Sequence, residues 1–256
     1  MKQEHVQDEA RNKVELARQS FENVLINEKY ANIIKDDKHL ELLLSLVDGK
    51  AGEAVLDIGT GTGYLAVPIA KMNPETRVVG LDIAERVMEK NNATVAEQGI
   101  SNLEFVSFDG IHYPFEKETF DLMVTRYAFH HFPNVREAIE ALAGLLKPGG
   151  RILISDPMAK ENDAGGVIDK FMEIKGDGHI RFYPKKELEA MFAEYGFVVE
   201  QQVVTKMKFP FPEKQEYIDL YESCSKEERE LYGIALRDGV VWIGHVEVGN
   251  TVFAKR

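Results

Sequence analysis

Asp57, Asp82 and Asp109 each stand at or near the carboxyl end of a short apolar run, and the first is followed by glycines at alternate positions, Gly59, Gly61 and Gly63. Carboxylates accept hydrogen bonds from hydroxyl and amino groups. Glycine takes positive φ and lets a ligand come close to the backbone. Residues 54–58 read as a buried strand and 64–71 as a helix, so the glycines lie in the turn that opens a βαβ unit. Amide groups exposed at that helix start suit an anionic or polar ligand. Asp82 lies 19 residues beyond Gly63, where a carboxylate can take two hydrogen bonds from ribose hydroxyls. Asp109, followed by Gly110, can accept from an adenine amino group or can simply make a turn.

Three ligands compete for the glycine turn. A P-loop requires Gly-Lys-Ser/Thr at the helix start, and this chain has Gly63-Tyr64-Leu65. A dinucleotide fingerprint places glycines at offsets 0, 2 and 5; here they fall at 0, 2 and 4, with Tyr64 in the third place. S-adenosylmethionine carries a carboxylate, an ammonium and a sulfonium but no pyrophosphate, so an acidic residue before the glycines suits it better. A turn without any ligand is the plain alternative.

Candidate groups for proton transfer are Tyr127, His130, His131 and His179. Histidine titrates in the right range. The plainer reading of His130 and His131, that one of them packs the turn after the fourth strand, is preferred for that pair. His179 and Arg181 can bind an anionic acceptor or lie in a surface loop. Arg126 can pair with a substrate carboxylate or with a buried Asp. Adjacent histidines point in different directions and no Cys or Glu spacing completes a site, so no metal is expected.

The elements that position these residues alternate. Strands are expected at 54–58, 77–81, 103–107, 120–125, 151–155, 197–207 and 246–254, the last bulged at Gly249, with helices at 84–98, 135–146 and 184–195 between them. This pattern predicts a doubly wound, mostly parallel sheet with helices on both faces. Ligands in such sheets lie outside the carboxyl ends of the strands. Gly59, Thr60, Gly61, Gly63, Asp82, Asp109 and Arg126 all fall there. Residues 3–20 read as a helix with Val14, Leu16, Ala17 and Phe21 inward. A second helical stretch takes in Tyr30, Ile33, Ile34 and residues 40–47 and ends at Asp48-Gly49. Together 1–48 make an N-terminal helical lid or cover. Residues 49–256 make the ligand-binding domain, with insertions near 157–185 and 210–240. The Phe209-Pro210-Phe211-Pro212 run is expected outside the sheet.

The net charge of −12 repels nucleic acid and anionic membranes. No stretch reaches the roughly 18 apolar residues that a membrane span needs. Cys224 is alone, which excludes an internal disulfide; it is expected to pack inertly in a helix. A cytoplasmic protein is expected, with its oligomeric state open.

The ordered set Asp57-Ile-Gly-Thr-Gly-Thr-Gly63, Leu81-Asp82, Asp109-Gly110, Phe120-Asp121-Leu122, His130-His131-Phe132 and Leu146-Lys-Pro-Gly-Gly150 resembles class I S-adenosylmethionine-dependent methyltransferases. The likeness is strongest to the small-molecule branch that includes the ubiquinone/menaquinone-biosynthesis methyltransferases. It covers residues 50–156 well and 180–256 loosely. The resemblance implies a seven-stranded sheet with its last strand antiparallel and inserted between strands five and six. It further implies that Asp57 and the glycine turn hold the methionine part, Asp82 the ribose, and Ile83 the adenine face. Asp109 and Gly110 would meet the adenine edge, and Arg126 with its neighbours would flank the methyl group and acceptor. The product would be S-adenosylhomocysteine. A nicotinamide-dependent oxidoreductase and a catalytically silent S-adenosylmethionine sensor or partner subunit are the competing readings.

Overall fold

The computed structural model describes residues 2–25, 36–47 and 50–256. Tyr30, Ile33, Ile34 and the Asp48-Gly49 stop lie outside them. Two helices, α1 (Lys2–Leu25) and α2 (Asp37–Val47), precede the sheet. Then follow β1 (Ala54–Ile58), α3 (Ala66–Met72), β2 (Arg77–Asp82), α4 (Glu85–Glu97), β3 (Leu103–Ser107), β4 (Phe120–Arg126), α5 (Val135–Leu145) and β5 (Leu146–Met158). The second half holds α6 (Val167–Glu173), α7 (Lys185–Glu194), β6 (Phe197–Pro210), α8 (Gln215–Ser223), α9 (Lys226–Tyr232), β7 (Ala235–Arg237) and β8 (Val240–Lys255).

The sheet order is β3-β2-β1-β4-β5-β8-β6, and the short β7 pairs only with β8. The first five strands are mutually parallel, while β8 runs antiparallel to both β5 and β6. The sheet therefore has one strand more than the seven expected, because β7 folds back as a hairpin on β8.

Strand periodicity explains the two main cores. Val55, Leu122, Val124, Leu153 and Val252 point to the face covered by α2, α3 and α4. Leu56, Ile58, Met123, Ile152, Ile154 and Phe253 point to the face covered by α5 and α7. Central parallel strands buried on both faces need such continuous apolar runs. A third core joins α6, α8 and α9 to the far ends of β6 and β8 through Phe171, Phe211, Tyr217 and Tyr232.

Four local expectations change. Phe209 and Pro210 do lie in β6, opposite Ile243 and Trp242. As β6 ends the sheet order, proline's missing N–H can face outward there. Gly249 sits in regular register between Asp156 and Val204. Its small size has a packing reason, since a Cβ there would come 2.6 Å from Met158 Sδ. Leu16 is 49% exposed, so the inward stripe of α1 excludes it. Cys224 is buried in the third core but lies just past the end of α8.

Candidate active site

The turn after β1 is built by its own backbone and by two buried carboxylates. Gly59 and Thr60 amides both donate to the Leu81 carbonyl, at 2.8 and 3.1 Å, which sews the turn to β2. Asp57 sits mid-sheet, where an unpaired carboxylate is costly. It accepts from Thr60 Oγ1 at 2.7 Å and from the Ala66 amide, at the start of α3, at 3.0 Å. Burial still pushes Asp57 up to about 7. Asp82 accepts from the Gly61 amide at 2.8 Å and the Ala84 amide at 3.1 Å, and burial raises it as well. Asn91, on α4, donates to the Gly61 carbonyl at 2.8 Å and fixes the turn from the other side.

The three glycines have different work. A Cβ on Gly59 would lie 2.3 Å from Ala128 Cβ, and one on Gly63 would lie 2.9 Å from Phe105 Cζ and from Val67 Cγ2. Those two serve packing. Gly61, at φ +53, would meet only Leu25 at an ordinary 3.6 Å, so it faces open cleft. The third glycine thus belongs to the fold rather than to the ligand.

Past β4 the chain turns sharply. Tyr127 has φ +55, a left-handed conformation that costs a non-glycine residue roughly 1–3 kcal/mol and clusters at functional sites. The Arg126 guanidinium lies between two rings, 3.9 Å from the Tyr64 centroid and 4.2 Å from that of Tyr127. Arg126 Nε also donates to His39 Nδ1 at 3.4 Å. With Nδ1 accepting, His39 Nε2–H donates to Asn250 Oδ1 at 2.9 Å, which also receives Ser155 Oγ–H at 2.8 Å. Burial lowers His39, consistent with that neutral tautomer.

These parts enclose one cleft of about 1100 Å³, counting its open mouth. Its floor is Asp57, Gly59, Thr60, Gly61 and Asp82. Ile83, Phe108, Gly110 and Tyr113 line one end; Tyr64, Arg126, Tyr127, His131 and Phe132 line the other. Val14, Ala17, Phe21 and Leu25 form its roof, a stripe spaced three or four residues apart on α1. α1 is anchored there by Lys13 Nζ, which donates to the His179 carbonyl at 3.1 Å.

Besides Gly63, three predicted site residues do not line the cleft. Asp109 turns onto its own loop, accepting from the Ile111 and His112 amides at 2.9 and 2.6 Å and meeting His112 Nδ1 at 2.6 Å. Those bonds hold it down, to about 2. His130 is buried behind the wall, its Nδ1 2.9 Å from Asp156. His179 is buried deeper, its Nε2 2.8 Å from Asp169. Arg181 is engaged by both oxygens of Glu187 at 2.8 Å. Residues the sequence left unmarked include Tyr64, Asn91, His39 and Asn250. Only the α1 stripe carried a signal, its helical spacing. Among the described residues no group of three or more His, Cys, Asp or Glu is placed to hold a metal.

Comparison with known proteins agrees with this geometry. A family described as a methyltransferase domain matches residues 27–202. The uncharacterised methyltransferase YcgJ of Bacillus subtilis is 31% identical over 175 residues, covering 64% of this chain and 67% of that one. The ubiquinone/menaquinone biosynthesis C-methyltransferase UbiE of Pseudomonas putida is 33% identical over 171 residues, covering 58% and 66%. The chain thus matches about two thirds of the length of these curated relatives. A solved putative methyltransferase from Bacillus halodurans superposes with a TM-score of 0.75 at 30% identity, over 84% of this chain and 98% of that one. Sheet order, glycine turn and acidic strand ends define a class I α/β enzyme dependent on S-adenosylmethionine. The chain belongs to the methyltransferase-domain family.

Proposed function

We propose that the protein methylates a small-molecule acceptor inside this cleft. S-adenosylmethionine, when bound, supplies a methyl group on a sulfonium that is open to in-line displacement. The chain's own residues suit that donor. Asp82 spends two hydrogen bonds on backbone amides, and a carboxylate has about four acceptor sites, so it keeps capacity for a ribose diol. Asp57 offers a buried acidic neighbour for a cationic ligand. Ile83, Phe108 and Tyr113 offer apolar surface for a base. The Gly59, Thr60 and Gly61 amides, which a pyrophosphate would need, already donate to the Leu81 carbonyl and to Asp82.

The observation that carries a small acceptor is the roof. The α1 stripe lines the cleft across from the glycine turn, with Leu25 3.6 Å from where a Gly61 Cβ would stand and Phe21 edge-on to His131 at 5.1 Å, which supports a pocket over a groove for a polymer. Orientation there can contribute about 7–11 kcal/mol to the rate. No described helix is long and apolar enough to cross a membrane. The acidic surface and single buried thiol support a cytoplasmic setting. Calorimetric titration with S-adenosylmethionine and, separately, NAD(H), repeated on Asp82→Ala, tests the proposal. Saturable S-adenosylmethionine binding that the variant weakens supports it, and preference for NAD(H) sinks it.

A further inference from the structure

We infer that His131 is the base that takes the acceptor's proton, with Asp177 as its charge partner; this rests on the methyltransferase reading above. Among the described residues, the buried side-chain polar atoms without a hydrogen-bond partner are few. Apart from Thr125 Oγ1, they belong to His131, His179, Tyr217 and Asp177, whose carboxylate meets Lys175 Nζ as an ion pair. These residues form one cluster between the acceptor end of the cleft and the third core. The ring of His131 lies 4.2 Å from that of His130 and 6.2 Å from that of His179. Phe21 of α1 meets it edge-on at 5.1 Å.

Position separates the three histidines. His130 is tied to Asp156 and His179 to Asp169, both behind the wall. His131 alone of the three lines the cleft; its Nδ1 is buried without a hydrogen-bond partner, which leaves Nε2 as the nitrogen to meet an acceptor. The groups acting on it are His130 from its own turn, and Asp177 and His179 from the loop before α7, whose Gly178 backbone between those two meets the His131 ring. Lys13 of α1 reaches that loop at the His179 carbonyl. Asp177 is 2% exposed and holds Lys175 Nζ at 2.6 Å. Burial and its histidine neighbours keep His131 unprotonated at rest, while the Asp177 charge opposes them. A resting base must be unprotonated to work.

Charge conservation fits the same assignment. An acceptor lone pair forms a bond to the methyl carbon as the carbon–sulfur bond breaks, its electron pair remaining on sulfur. The acceptor's proton passes to His131. The positive charge lost at sulfur reappears on the imidazolium, beside Asp177, so the cleft's net charge does not change.

The test uses the full chain with S-adenosylmethionine and two probe acceptors: iodide, which has no proton to lose, and catechol, which must lose one. His131→Gln is expected to lower transfer to catechol about 100-fold more than transfer to iodide. Asp177→Asn is expected to lower the same ratio about ten-fold. Equal losses on both probes, unchanged catechol transfer, or a wild type that methylates iodide but not catechol, each overturn the assignment. Transfer to neither probe despite donor binding sinks the methyltransferase reading itself. A readout without turnover is the histidine side-chain ¹⁵N spectrum with S-adenosylhomocysteine bound. Asp177→Asn should lower the His131 midpoint by at least about half a pH unit. The same titration in both proteins, or none in either, overturns the pairing.

Discussion

The carbonyl oxygen of Lys13 lies 2.5 Å from where a Cβ on Gly178 would stand, so the roof helix rests directly on the loop backbone. Gly178 also has φ +77. Gly178→Ala therefore brings both backbone strain and a collision with α1. Limited trypsin digestion should cut at Lys13 at least about five-fold faster in the variant, with global unfolding shifted by about 1–3 kcal/mol. Unchanged cleavage at Lys13 would show that α1 is held elsewhere.

Asp82 predicts a binding defect larger than its stability defect. Two charge-assisted hydrogen bonds to a ribose are each worth about 1.5–3 kcal/mol. Asp82→Ala should weaken S-adenosylhomocysteine binding about 100-fold or more by calorimetry. Asp82→Asn, which keeps one acceptor oxygen for Gly61 or Ala84, should lose less. Equal affinities for both variants and wild type would remove Asp82 from the binding site.

Asp57 predicts a pH dependence with a definite sign. Its folded value of about 7 lies above the ordinary carboxylate range, so the empty protein holds it partly protonated near neutrality. A cationic ligand favours the ionised form. Binding should therefore tighten as pH rises through about 7 and release a proton, up to tenfold per unit below that point. Calorimetry in buffers of different ionisation enthalpy reads the proton directly, and Asp57→Asn should abolish that share. The same raised value means that ionising Asp57 costs stability. This penalty is absent below the unfolded value, grows as pH climbs toward about 7 and is complete above it. Thermal melts of the empty protein should accordingly fall more from pH 5 to 8 than those of Asp57→Asn.

Asn250 of β8 joins α2, β5 and β6. Its Nδ2 donates to the Val203 carbonyl at 3.0 Å and Thr205 Oγ1 at 3.1 Å, while its Oδ1 serves His39 and Ser155. Asn250→Ala leaves the buried His39 Nε2–H and Ser155 Oγ–H without their acceptor, at about 1–3 kcal/mol apiece. Urea denaturation should show a loss of about 2–4 kcal/mol. A loss under 1 kcal/mol would mean water replaces the side chain.

The sheet was legible because parallel strands and crossover helices leave strong local patterns: apolar runs such as Ala54–Ile58, each followed by a turn and a helical period. Asp57, Asp82 and the glycine turn were legible for the same reason, since a strand end fixes where they stand. Asp109 was not, because an Asp-Gly pair reads alike whether its carboxylate faces a ligand or caps the next two amides. His130, His131 and His179 were inseparable in sequence. Which of them meets the cleft depends on a loop arriving from more than forty residues downstream. The His39–Asn250 bond spans 211 positions, and no local pattern announces it. Proline at 210 was misplaced because the general rule against sheet prolines holds for inner strands, and β6 ends the sheet.

The slot that β8 fills has a bearing on how the chain is made. β8 is the last strand in sequence, yet it pairs on both sides, with β5 and with β6. While the polypeptide emerges, β1 to β5 can assemble with their helices, but β6 has no neighbour and β5 has one bare edge. Asn250, the anchor for His39 and Ser155, lies on β8 and so arrives after β6. The glycine turn and acidic strand ends can therefore form before β8 is made, whereas the cleft wall at Arg126 and Tyr127 gains its support through His39 and Asn250 only when β8 slides in. Nascent chains halted before β8 should bind trigger-type chaperones through those two open edges.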